Sequence, residues 1–449
     1  MTAPFSQRHR IRLRRRGFTL VELMISLVMG LIVAMAAVGL AKTATTTFHE
    51  QARSSVTEMA VRTASERLRQ DLARISYMST GNIQSDPKVA HRPGVAPALV
   101  SRYGSLATLR GIRINVGDGS SPVATTNNLS PDSIEIVGNL ATDDQYTGTI
   151  YTGGTGACTQ VVRLDPIADA AVYSLSAGDV TDAAGKFTAN ANVAFRPTND
   201  DYLAQVTDAV GCNHYVPVCS VSVVPNTATS SYLLIGLNPA GQIDPGAPNR
   251  AVLYANNSDG STVANNCGSS ELGQVTISPV SRVKWQLLAT TQAVLQADTT
   301  FEAAGNKFDL VRQRLDWAGN TVAALPPEII AEYGVDLKFG ITYMDPAKPL
   351  NTDRITTADM GAAASAATIT KVTAAASYTP LDPAPQNVRS VRYRIAVRTS
   401  IPDRDANLPI GAPGYLARYC ADAACQKWSR VRTVVSEVAL HNQAGMSWQ

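Results

Sequence analysis

Glu22 is the only ionisable side chain in the 24-residue apolar run from Phe18 to Ala41, which Lys42 closes. A carboxylate in hydrocarbon costs about 2.5 to 3.5 kcal/mol even on lenient insertion scales and is usually paired. Just upstream, Gly17 ends a leader, MTAPFSQRHRIRLRRRG, that holds six arginines and no acid. Scission between Gly17 and Phe18 would create an α-amine, a cation suited to Glu22. The chemistry indicated is peptide hydrolysis at Gly17 and Phe18 followed by ion pairing at Glu22.

Other reactive residues read as structural. Six cysteines, Cys158, Cys212, Cys219, Cys267, Cys420 and Cys425, all follow the apolar run. An even count on the oxidising side of a membrane favours three disulfides. Fifteen pairings are possible; the short separations favour Cys212 with Cys219 and Cys420 with Cys425, leaving Cys158 for Cys267. Cys212, His214 and Cys219 also have zinc-like spacing, but in an oxidising compartment a disulfide loop is the better reading. Asp403, Asp405 and Asn407 in DRDANLP begin like a calcium loop and lack its glycine and terminal acid, so a solvated turn is expected. No Gly-x-Ser-x-Gly, Walker loop or His-Glu-x-x-His occurs. No metal, cofactor or enzymatic activity is expected.

The elements that place Glu22 begin with the run itself. As a helix it reaches roughly 36 Å, enough for a hydrocarbon core of about 30 Å. The arginine-rich leader keeps the amino end in the cytoplasm, so everything after Lys42 lies outside. A secretory signal would have a shorter apolar stretch with its small residue on the far side, whereas Gly17 lies on the near side. The helix continues to about Ser79, with Val56, Ala60, Ala64, Leu68, Leu72 and Ile75 forming an apolar stripe and Arg53, Glu58, Arg62, Glu66, Arg69 and Asp71 on other faces. Thr43 to Thr47 are rich in β-branched residues and predict a bend or melted turn.

Beyond residue 80 the pattern changes to short strands with Gly, Asn, Asp and Pro between them. Strands are predicted at Ile134 and Ile136, Val161 to Leu164, and Tyr232 to Ile235. Residues 80–280 read as a β-rich, disulfide-bearing insertion. In 281–449, Val335, Leu337, Phe339, Ile341 and Tyr343 alternate with polar residues, as do Val391, Tyr393, Ile395 and Val397, with Arg392, Arg394 and Arg398 on a solvated face. Val431 to Leu440 makes a third strand, and Met360 to Ala376 a surface loop or short helix. Antiparallel pairing over one face of the long helix follows.

The string Gly17-Phe18-Thr19-Leu20-Val21-Glu22, with its basic leader, resembles the class III signal of type IV prepilins. The resemblance implies that a membrane aspartyl peptidase cuts after Gly17 and methylates the Phe18 amine, and that Glu22 neutralises a neighbouring subunit's amine in the filament core. The segments EIIAEYGVDLKFGITY, VRSVRYRIAVRTS and VRTVVSEVALHN resemble PilW-type minor pilins. That implies a type IV pilin-like α+β fold: 1–17 cleaved leader, 18–41 membrane and filament-core helix, 42–79 its amphipathic continuation, then the insertion and the sheet. It also implies other minor pilins and the major pilin as partners through the helix, a PilY-type tip adhesin, and residence in the inner membrane and then the pilus. In related secretion systems the terminal K-type tip subunit lacks the acid, so a place at the extreme tip is not expected.

Losing the six leader arginines takes 39 cationic side chains to 33 against 36 acids, a net of −3. That balance disfavours direct nucleic-acid binding, which needs clustered Lys and Arg. Two alternatives share the signal: a J-type pseudopilin of a type II secretion system, and a pilus-associated adhesin or DNA-uptake subunit.

Overall fold

The computed structural model describes residues 19–89, 108–118, 127, 129–140, 145–152, 160–164, 203–207, 211–226, 230–237, 274–289, 307–316, 319–322, 325–349, 352–374, 383–402, 417–420 and 428–444. Helix α1 spans Leu20–Ala73. The chain divides into Met1–Val56 and Thr57–Gln449. In the first unit α1 is long and apolar enough to cross a membrane, and its large apolar side chains stand exposed, from 53% at Ile32 to 76% at Leu20 and Leu40.

The bend predicted at Thr43 to Thr47 does not form. Thr43, Thr45, Thr46 and Thr47 donate their hydroxyls to the carbonyls of Gly39, Ala41, Lys42 and Thr43. Each hydroxyl is satisfied on its own helix, so low propensity does not become a break.

In the second unit the strands are β1 (Ile112–Asn115), β2 (Ser133–Gly138), β3 (Tyr146–Thr152), β4 (Gln160–Leu164), β5 (Leu203–Thr207), β6 (Asn213–Asn226), β7 (Ser230–Leu237), β8 (Gln274–Ala289), β9 (Phe308–Leu315) and β10 (Glu328–Ala331). A second sheet holds β11 (Gly334–Met344), β12 (Ile355–Ala358), β13 (Val388–Arg398), β14 (Arg418–Cys420) and β15 (Trp428–Ala439) in the order β12-β11-β13-β15-β14. Helix α2 is Ala363–Ala374 and α3 is His441–Ala444.

Val61, Ala64, Leu68, Leu72 and Ile75 turn one face of α1 and the turn after it into a core shared with Ile134, Ile136 and Trp285 of the first sheet and Leu337, Phe339 and Tyr393 of the second. The predicted antiparallel strands over the helix are therefore present. Tyr393 Oη donates to the Ser65 carbonyl at 3.0 Å and accepts from Ser65 Oγ, 2.8 Å away. Val56, expected in the stripe, is 70% exposed, and Thr57 is the first buried residue. The helix ends at Ala73 rather than Ser79, because the chain turns back through Ser76 and Met78 at positive φ. Asn442 of α3 donates to the Ala73 and Ile75 carbonyls, which the helix leaves unsatisfied.

Asp71, placed by the sequence on a face other than the apolar stripe, is buried. It accepts from Trp285 Nε1 at 2.9 Å and Arg312 Nε at 2.6 Å, so its charge is matched from two strands of the first sheet.

The first sheet contains a closure that its short strands do not announce. β8 pairs β3, β3 pairs β4, β4 pairs β7, β7 pairs β6, β6 pairs β5, and β5 returns to β8. The result is a six-stranded antiparallel barrel, filled by Tyr146, Ile150, Val162, Val206, Val216, Ile235, Ile277 and their neighbours. Closure removes the exposed strand edges. The boundary expected at 280 falls inside β8, whose first half belongs to the barrel and whose second half pairs β2 and β9. Strands β1 and β2 pair into the sheet on α1, so the barrel starts at β3, well after residue 80. Gly138 ends β2 where an added Cβ would lie 2.3 Å from the Arg74 carbonyl; glycine lets the sheet close on the turn after α1.

The Met360 to Ala376 stretch forms α2 with Ile369 and Val372 in the shared core, so one face is buried rather than at the surface. The arginine face of β13 is only partly solvated. Arg392 is half-exposed, Arg394 holds Asp336 at 2.6 Å, and Arg398 is buried with its guanidinium over Tyr333 and Tyr419. Those acids and rings close the face that alternation alone leaves open to water.

Burial pushes the Asp336 carboxyl up, against the opposing charge and hydrogen bonds of Arg394. Such a group stabilises the fold below its unfolded value of about 3.9 and loses that contribution as pH rises through the raised folded value. Denaturation of wild type and Asp336→Asn is therefore expected to show wild type losing ground to the variant as pH rises above about 4; a pH-independent difference would refute the role. Asp71→Ala leaves Arg312 buried with only Glu328, 3.6 Å away, as a charge partner among the described residues, and is expected to cost about 3 kcal/mol, read as a lower denaturant midpoint by tryptophan fluorescence.

Candidate assembly segment

Thr19 immediately precedes α1, and Glu22 is the third helical residue. The Glu22 amide donates to Thr19 Oγ1 at 3.2 Å, while the Thr19 amide and hydroxyl lie 3.5 and 3.4 Å from Glu22 Oε2. This reciprocal arrangement is a capping box: the threonine oxygen serves a helix amide, and the acid reaches back to the cap residue. The Thr19-x-x-Glu22 spacing signals it, and reading Glu22 as a pairing charge alone misses it. The negative charge also suits the positive end of the helix dipole.

Both contacts fall on Oε2, and Oε1 stays open to a second donor among the described residues. Glu22 is exposed, in a turn with Leu20, Val21, Leu23 and Met24, each more than half exposed. The segment is thus a pre-formed helix end with an outward acid on an apolar surface. Burying that surface in lipid or among other helices requires the acid to find a cation.

Gly17 and Phe18 lie outside the described residues, as do DRDANLP, Cys158, Cys267 and Cys425 and the side chain of Cys219. Cys212 and Cys420 are buried, and no described cysteine is a free thiol; each of the three expected pairings includes at least one side chain outside the described residues. His214 is buried in register with Val206, an interior residue of the barrel. No group of three or more His, Cys, Asp or Glu placed to hold a metal occurs among the described residues.

The model of the prokaryotic N-terminal methylation motif matches residues 12–38, covering the end of the basic leader, Gly17, Phe18, Glu22 and most of the apolar run. No protein of curated function and no solved structure matches the chain. The motif supports a subunit of the type IV pilin or pseudopilin kind, carrying a prepilin signal. Such a signal implies processing by a prepilin peptidase and assembly with other pilins, and with α1 it is consistent with an inner-membrane anchor.

The capping box makes the two roles of Glu22 separable. Glutamine at the same position keeps a capping oxygen and loses the charge, whereas alanine loses both. Glu22→Gln and Glu22→Ala are expected to reduce incorporation into sheared surface filaments alike, as measured by immunoblot, with Thr19→Ala closer to wild type. Retention by the glutamine variant would assign Glu22 to the cap alone.

Proposed function

We propose that the chain is a PilW-type minor pilin, a non-enzymatic subunit that helps prime type IV pilus assembly and forms part of the tip complex, beneath its extreme end. The observation that carries this reading is the prepilin signal, with Gly17, Phe18 and Glu22 in order before an exposed apolar helix. Phe18 is then the methylated residue of the mature chain, and its amine meets a neighbour's acid as Glu22 meets a neighbour's amine. Size supports a low copy number. Pilus subunits stack with small axial steps, and a head of about 370 residues, partly built as a barrel, would crowd a lattice made only of itself. The partners are other minor pilins and the major pilin along α1, and a PilY-type adhesin at the tip. Twitching motility and adhesion would depend on the filament so assembled.

The J-type pseudopilin reading rests on the same signal and helix and differs in the machine served. Deleting the gene is expected to collapse major pilin in the sheared surface fraction while total cellular pilin persists, with recovery on complementation. Unchanged surface pilin with lost exoprotein secretion would replace the pilus reading with the pseudopilin one.

A further inference from the structure

On the face of the first sheet turned away from α1, Arg113, Glu135 and Lys284 stand in one row across β1, β2 and β8. The acids of this row and its margin are already taken. Glu135 Oε2 accepts from Arg282 Nη2 at 2.6 Å, leaving Arg113 Nη1 3.8 Å from Oε1. Asp118 accepts from Lys284 Nζ and from Ser133 Oγ, each at 2.9 Å.

The cations exceed what these acids match. Arg282 is 6% exposed, and its Nε and Nη1 are buried without a partner among the described residues, as is Nε of Arg113. Arg110 is also buried and donates to the Thr108 and Thr373 carbonyls. Burial, with Arg113 and Arg282 nearby, pushes its pKa down to about 10. Among the described residues four cations thus share two carboxylates: Arg110 and Arg282 are withdrawn from water, Arg113 and Lys284 reach the surface with side chains 40% and 19% exposed, and guanidinium groups cannot relieve the excess by losing a proton at neutral pH. Beside them opens a cavity of ≈ 540 Å³, lined by Arg113, Asn115, Gly117, Glu135, Lys284 and Thr370 among others.

We propose that this cavity binds a small oxyanion of the phosphate type, seated on the Arg113 guanidinium with Lys284 beside it. A planar guanidinium offers two parallel donors to such a group. Glu135, held by Arg282, and Asp118, held by Lys284, frame the site and leave no continuous basic track for a nucleic acid. The cluster contains no part of the assembly segment, so the site stands or falls independently of the pilus reading.

The test is calorimetric titration of inorganic phosphate into the processed full-length chain in detergent micelles, at ionic strength held constant with chloride. Saturable binding is expected, weakened about tenfold by Arg113→Gln, the scale of one charged hydrogen bond. Arg392→Gln, on the other sheet beside Asp359 and Glu437, is expected to leave binding unchanged. Thermal unfolding in chloride checks that each variant is folded, and Lys284→Gln takes the place of an Arg113 variant that is not. No saturable heat beyond chloride, or undiminished affinity in the folded cavity variant, overturns the site.

Discussion

Both sheets of the head have one apolar face that must be covered, and the same helical stripe covers them. Val61, Ala64, Leu68 and Leu72 meet Trp285 from one side and Phe339 and Tyr393 from the other within a single cluster. Each exchange of water for this contact is worth about 25 cal/mol per Å² of apolar surface, so the stripe is where the head gains most from holding its parts together. The polar contacts follow that geometry: Asp71 is buried because it shares the stripe's side of α1, and Arg312 and Trp285 come from the sheet to meet it.

The two ends of α1 are finished by different chemistry. At its start Thr19 and Glu22 serve one another within four residues, so these bonds form without help from the rest of the chain. At its finish the carbonyls of Ala73 and Ile75 depend on Asn442, near the other end of the sequence. One end is local and already presentable to a neighbour; the other exists only when the head has folded.

These differences decide what was legible from residues alone. The Gly17, Phe18 and Glu22 motif is contiguous, and the alternation of Val335 to Tyr343 and Val391 to Val397 is local, so both could be read directly. Asp71 could not, because a charged residue on a helix looks solvated until a partner 241 positions away is brought to it. The threonine run misled because propensity counts lost rotamers and not the bonds to Gly39, Ala41, Lys42 and Thr43 that recover them. Arg398 misled because period two says which face a side chain is on and nothing about Tyr333 and Tyr419 arriving there. Barrel closure is a property of β8 bonding on both edges, and no short window of sequence carries it.

The chain leaves the sheet for the barrel at Gly138 of β2 and rejoins it at Ser281 of β8, and these two residues are paired. The chain between Gly138 and Ser281, which carries β3 to β7 and the first half of β8, therefore departs and returns one strand apart, a gap of roughly 5 Å. The barrel is thus a loop-like excursion from the frame: it asks of β2 and β8 only the spacing they already have as paired strands, and Leu203, Tyr215 and Val280 seat it against Ile83, Leu109 and Val137.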